Sequence, residues 1–233
     1  MNEDNLFHKP FFCVISIHFY WILYMLGIII EKHTTINSVS PHKKWNMILS
    51  LFSECNKCED IRWEIWRLYT YSFVHDGINH LFFNLLGYLF FGILLEIVIG
   101  NKIILFYFSS IILSGMSIAI FSPYTSLVGL SAAVYSFSGA LVSFYCIELN
   151  TLKHKFTIGI IIFILLALEI TLYLFDHKKN IAYYTHFIGF LNAFLLGPFI
   201  IHPRKKKKIH QVFQYISIAT LPSMYIYICL LYT

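Results

Sequence analysis

Long apolar runs, separated by short polar breaks, set the plan of this chain. They cover residues 10–30, 78–98, 103–121, 128–147, 157–175 and 182–201, and a weaker run covers 211–231. Each is close to the roughly 20 residues that an α-helix needs to cross a bilayer. The runs are continuous rather than alternating, which argues against a transmembrane β-barrel. The pattern predicts an all-α, polytopic membrane helical bundle with six core spans and a seventh at the C-terminal end. Residues 1–9 form a short polar N-terminus, and 202–210 a basic loop before the last span. The first run is too long for a signal peptide and lacks a small-residue cleavage site. Residues 31–66 form a long first loop. Trp45, Met47, Ile48, Leu49, Leu51 and Phe52 read as a partly amphipathic segment lying at the interface, with Trp63 and Trp66 as belt anchors.

Composition strengthens this plan. Of the 233 residues 58% are hydrophobic and 12% charged, whereas soluble domains carry about 25% charged residues. The net charge of +5 is concentrated in Arg204–Lys208 and gives no footprint for nucleic acid. That basic run belongs in the cytosol by the positive-inside rule. Lys9, Lys102, Lys153 and Lys155 fall on the same side, and Lys178, Lys179 and the basic residues of the first loop on the other. Cys13, Cys146 and Cys229 lie in apolar runs and read as packing residues. Cys55 and Cys58 make a single C-x-x-C, which cannot supply four zinc ligands. No metal or other cofactor is expected.

Against this apolar background a few polar residues stand out. Ser131 sits near the start of span four, within Val128-Gly129-Leu130-Ser131-Ala132-Ala133-Val134-Tyr135. A lone serine in a membrane helix is ordinarily structural, bonding its own helix or letting a neighbour approach. His186 follows the start of span six, and His80 and Asn84 the start of span two. Spans two, four and six cross in one direction. At about 1.5 Å of rise per residue, all four side chains fall at one depth, below the luminal or external face.

That set suits acyl transfer. A serine needs a base to become a nucleophile, and His186 is the histidine placed to serve. Gly189, Ala193 and Gly197 follow it at spacings of three, seven and eleven, a small-residue face that admits another helix. Span four offers Ser138 and Gly139 for the same contact, and Tyr135, one turn after Ser131, can stack on the His186 ring. The first backbone N–H groups of span four, near Leu130 and Ser131, lack partners within their helix. With the Asn84 amide and the His80 imidazole they can bind a developing oxyanion. Asp76 and Asp176 lie at loop ends, so the pattern is a Ser-His dyad rather than a triad. Glu169, in span five, receives no role.

In order and placement these motifs resemble those of the rhomboid intramembrane serine proteases. The resemblance runs from Trp66-Arg67 to Gly197 and takes in His80-x-x-x-Asn84, Gly92-x-x-x-Glu96-x-x-x-Gly100, Gly129-Leu130-Ser131 with Tyr135, and His186-x-x-Gly189. It implies Ser131 as nucleophile, His186 as general base, and His80, Asn84 and the serine backbone as oxyanion hole. It also implies single-span membrane proteins as substrates, cut in or near the outer leaflet, in an endomembrane or the plasma membrane. The seventh span is similar to the six-plus-one arrangement common among eukaryotic members. The family's G-x-S-G becomes Gly-Leu-Ser-Ala here, and Ala193 stands where the second helix glycine is usual. Two other readings remain at this stage: an inactive rhomboid-like protein that binds membrane clients, and a seven-span receptor or transporter. The shared depth of Ser131 and His186 argues against the last.

Overall fold

The computed structural model describes residues 8–30, 48–49, 60–148, 182–202 and 208–232, with isolated helical positions between 155 and 171. Glu169, Asp176, Cys55, Cys58, Trp45 and most of the basic run lie outside the described residues. The chain is helical: α1 (Phe11–Ile30), α2 (Arg67–Thr70), α3 (Gly77–Gly87), α4 (Ile93–Ile99), α5 (Ile103–Met116), α6 (Ile118–Phe121), α7 (Ser131–Glu148), α8 (Tyr183–Ile200) and α9 (Lys208–Tyr232). Among the described residues, three stretches are long and apolar enough to cross a membrane: Phe11–Ile29, Gly77–Phe121 and Lys208–Tyr232. The middle one is 45 residues long and is folded into two passes at Gly100. Its φ of +62° reverses the chain, a conformation that glycine adopts without a Cβ penalty.

Apolar side chains face outward on α1 and α9, among them Phe11, Ile15, Ile22 and Leu230. Water would not tolerate so continuous an apolar rim on a monomer, whereas hydrocarbon does. The polar residues turn inward. α7 lies at the centre, with Ala132, Ala133, Ser136, Phe137, Ala140 and Ser143 all buried. It packs against α3, α4, α5 and, most extensively, α8.

Span two is not one uninterrupted α-helix. A π-helical turn, Tyr88–Gly92, joins α3 to α4. Here Gly87 faces Val134, and Gly92 faces Cys13 and Phe137, so α1 and α7 both approach span two at residues without a Cβ. A Cβ on Gly92 would lie 2.8 Å from the Cys13 sulfur.

The start of α1 shows how buried polar groups are satisfied. Pro10 precedes α1 and carries no side-chain oxygen for its first turn. Glu96 supplies the cap from a distance of more than eighty residues in sequence. Its two carboxylate oxygens accept the backbone N–H groups of Phe12 at 2.7 Å and Cys13 at 2.8 Å. These are two of the helix's orphan donors, and Glu96 itself is fully buried.

The first loop differs at Leu49 from the interfacial segment expected of it. Leu49 is buried at 1% exposure rather than lying on the membrane surface. Its backbone exchanges hydrogen bonds with Leu127 at 3.1 and 2.7 Å, and its side chain fills space left by Gly115. Pairing its N–H and C=O satisfies groups that hydrocarbon would leave bare. Arg67, ion-paired with Glu64, donates to the Ile48 carbonyl at 2.8 Å and anchors this segment. Trp63 and Trp66 do point outward, edge to face at 5.7 Å. Nearby, Arg62 donates to the Tyr232 carbonyl and Tyr232 donates back to the Arg62 carbonyl, at 3.0 and 3.2 Å. Hydrogen bonds from the Arg62 guanidinium also hold the Asp60 carboxyl below the usual carboxylate range.

Glu96→Ala strands two buried N–H groups and is expected to destabilise the fold by about 1–3 kcal/mol. Glu96→Gln keeps an acceptor and should lose less. Thermal unfolding in detergent checks the ranking, and equal melting of Glu96→Ala and the parent protein would contradict it.

Candidate active site

The loop before α7 is built to deliver its first turn. Leu127 is fixed by the bridge to Leu49, and the Gly129 N–H donates to the Tyr71 carbonyl at 3.0 Å. Gly129 has a φ of +110°, which only glycine adopts readily. The Leu130 carbonyl then accepts the N–H groups of Ala133 at 3.0 Å and Val134 at 3.4 Å, which starts the helix. Ser131 is therefore the first helical residue and is half-buried. The N–H groups of Ser131 and Ala132, ahead of those two bonds, have no intrahelical acceptor, and they lie at the positive end of the helix dipole.

His80 and Asn84 meet the same turn from α3. The Asp76 N–H donates to His80 Nδ1 at 3.2 Å. A ring that accepts at Nδ1 carries its proton on Nε2. A Cβ placed on Gly129 would lie 2.9 Å from that Nε2 and 3.7 Å from the Asn84 amide nitrogen. Two side-chain N–H donors thus converge beside the Gly129 backbone, and Gly129 is bare of a side chain where they do so. Asn84 is 7% exposed, and its amide also donates to the His80 carbonyl at 3.0 Å, which fixes its rotamer.

His186 reaches the site from α8. Its ring stacks on Tyr135 with centroids 4.1 Å apart and planes 17° from parallel. Tyr183 meets its edge at 5.6 Å. Tyr135 lies one turn below Ser131 on the same face of α7, so the stack holds the imidazole under the serine. The helices are in backbone contact there. A Cβ on Gly189 would overlap the Ala132 carbonyl oxygen, one on Gly139 the Phe190 carbonyl, and one on Gly197 the Ser143 hydroxyl. These contacts ascend together along both chains, so α7 and α8 run parallel. Ala193 is fully buried on the same seam.

The structure therefore gathers Ser131, His186, Tyr135, Gly129, Leu130, His80, Asn84 and Gly189 at one end of the bundle. Ser138 turns to its own helix instead, donating to the Tyr135 carbonyl at 2.7 Å. Sequence reasoning missed a polar seam behind His186. Ser114 donates to the Thr185 carbonyl at 3.1 Å and Ser110 to the Gly189 carbonyl at 3.4 Å. The serines at 110 and 114, four apart in an apolar run, were the available signal. It also passed over His75, which is buried with its ring 5.3 Å from that of His80.

The family model for the Rhomboid domain matches residues 62–203, more than half of the chain. The chain belongs to the rhomboid family and is a multi-pass membrane protein. It is 31% identical to RHOMBOID-like protein 1 of Arabidopsis thaliana over 60% of this chain and 36% of that protein. It is 36% identical to Rhomboid-related protein 2 of Mus musculus over 42% of this chain and 34% of that one. It is also 23% identical to Inactive rhomboid-related protein 2 of Caenorhabditis elegans, over 72% of this chain and 49% of that protein. The chain thus spans about a third to a half of the length of these relatives.

Gly189→Ala must push α8 away from the Ala132 carbonyl. Such overpacking is expected to destabilise by about 1–3 kcal/mol, and Ala132→Val should do the same, because Ala132 is 1% exposed. Ala132→Gly should be tolerated. Unchanged melting of Gly189→Ala in detergent would show that no tight contact exists.

Proposed function

We propose that this protein is an intramembrane serine endopeptidase working through a Ser131–His186 dyad. The observation that carries the reading is the Tyr135–His186 stack on helices in backbone contact one residue after Ser131. It brings a half-buried base to the depth of the nucleophile inside a membrane bundle, where ionisable residues are costly and commonly mark a functional site.

The steps follow from the groups present. His186 takes the Ser131 hydroxyl proton as the oxygen attacks the scissile carbonyl. The carbonyl oxygen becomes an oxyanion and meets His80 Nε2–H, the Asn84 amide and the N–H groups of Ser131 and Ala132 at the start of α7. Collapse breaks the C–N bond, and His186 returns the proton to the leaving amine. The same histidine then activates water to hydrolyse the acyl-enzyme. Substrates are single-span membrane proteins. With Arg204–Lys208 in the cytosol, the site opens near the luminal or external face, where water can reach it. The substrate helix has to unwind at the cut, so Gly or Pro there favours cleavage.

Inactive relatives support a second reading, a client-binding protein without catalysis. Cleavage separates the two. Purified protein should cut members of a panel of doubly tagged single-span substrates, and Ser131→Ala and His186→Ala should each abolish the cutting. The double variant should be no worse than either single one, because the two act as a unit. Asn84→Ala should lower kcat by about 10²–10³, the usual effect of one lost oxyanion donor. Cutting by folded Ser131→Ala would remove Ser131 as the nucleophile, and no cutting by the parent protein across the panel would leave the client-binding reading standing. Release of only a cytosolic fragment would invert the proposed topology.

A further inference from the structure

The seventh span joins the hydrogen bonds of the α5–α8 seam through Tyr225. Tyr225 on α9 donates its hydroxyl to Asn192 Oδ1 at 2.7 Å. Asn192, fully buried on α8, donates its amide to Ser110 Oγ at 2.8 Å and to Ser109 Oγ at 3.0 Å. Ser110 in turn donates to the Gly189 carbonyl at 3.4 Å. Every donor along Tyr225–Asn192–Ser110–Gly189 points the same way, an arrangement in which the bonds polarise one another. The chain ends at the residue whose missing Cβ lets α8 touch Ala132 beside Ser131. Ser114 holds the Thr185 carbonyl on the other side of His186.

From this we infer that Asn192 and Tyr225 are positioning residues for His186, and that the seventh span thereby takes part in setting the dyad. The inference rests on the protease reading. α5 grips the backbone of α8 on both sides of His186, and Asn192 fixes the hydroxyl that makes one of those grips. Tyr225 occupies the Asn192 acceptor, so the amide keeps the orientation that donates to Ser110. Without the tyrosine hydroxyl, that acceptor loses its donor in a fully buried side chain. The amide then turns in search of a donor, and the hold on Gly189 loosens. A shift well under 1 Å in His186 matters to proton transfer and little to how a substrate helix docks.

The test compares parent protein, Tyr225→Phe, Asn192→Ala, the double variant, and Tyr227→Phe as a control on the outward, exposed side of α9. The readouts are kcat and KM on a single-span substrate, with active sites titrated, and the rate constant for phosphonylation of Ser131 by a small fluorophosphonate. That rate constant does not depend on the fraction folded. Tyr225→Phe should lower kcat and the phosphonylation rate together by about 5- to 100-fold, as small misplacements do, with KM unchanged. The double variant should match Asn192→Ala, since the residues act in one chain, and Tyr227→Phe should equal the parent. A normal phosphonylation rate in Tyr225→Phe, beside an active parent, overturns the positioning role alone. A parent protein that neither cleaves nor is phosphonylated at Ser131 overturns the protease reading, and this inference with it.

Discussion

Backbone contact between α7 and α8 is the constraint on which the rest depends. In a bilayer, apolar surface gives helices no reason to associate, because lipid tails are as apolar as leucine. What remains is close packing and hydrogen bonding. Gly189 against the Ala132 carbonyl and Gly139 against the Phe190 carbonyl supply the first. The serines of α5, on the Thr185 and Gly189 carbonyls, supply the second. Only helices this close allow a histidine on one to stack on a tyrosine of the other at 4.1 Å.

Around that contact the chain solves one problem repeatedly, the disposal of buried polar groups. Glu96 caps α1 from span two, and Arg67 holds the Ile48 carbonyl. His210 and Gln214 on α9 bond the Pro198 carbonyl near the end of α8, at 2.8 and 3.1 Å. Each pairing joins separate elements, so satisfying the backbone and fixing the tertiary arrangement become the same event. At the first turn of α7 the rule is relaxed. The donors of His80 and Asn84 converge beside Gly129, next to the N–H groups of Ser131 and Ala132, which have no acceptor within the helix. A cluster of donors around a residue without a side chain is what a substrate carbonyl needs.

Much of this was legible in the sequence because membrane helices obey simple geometry. Parity and helical rise set Ser131, His186, His80 and Asn84 at one depth, and one turn of helix set Tyr135 beneath Ser131. Gly189 was legible as a contact through its spacing from His186. Other features were not. The π-helical turn at Tyr88–Gly92 is a shift in backbone bonding that leaves no mark on hydropathy. Leu49 read as interfacial, because nothing local shows that its backbone pairs with Leu127. The partnership of Tyr225 with Asn192 depends on which face of α9 meets α8, and a weakly amphipathic span does not disclose its face.

The most direct test of a Ser131–His186 unit is to map where a fluorophosphonate attaches. Mass spectrometry of the treated protein should find a single adduct on the peptide bearing Ser131, and none there in folded His186→Ala protein. An adduct on Ser131 that forms equally well without His186, or one that forms only elsewhere, would contradict the account.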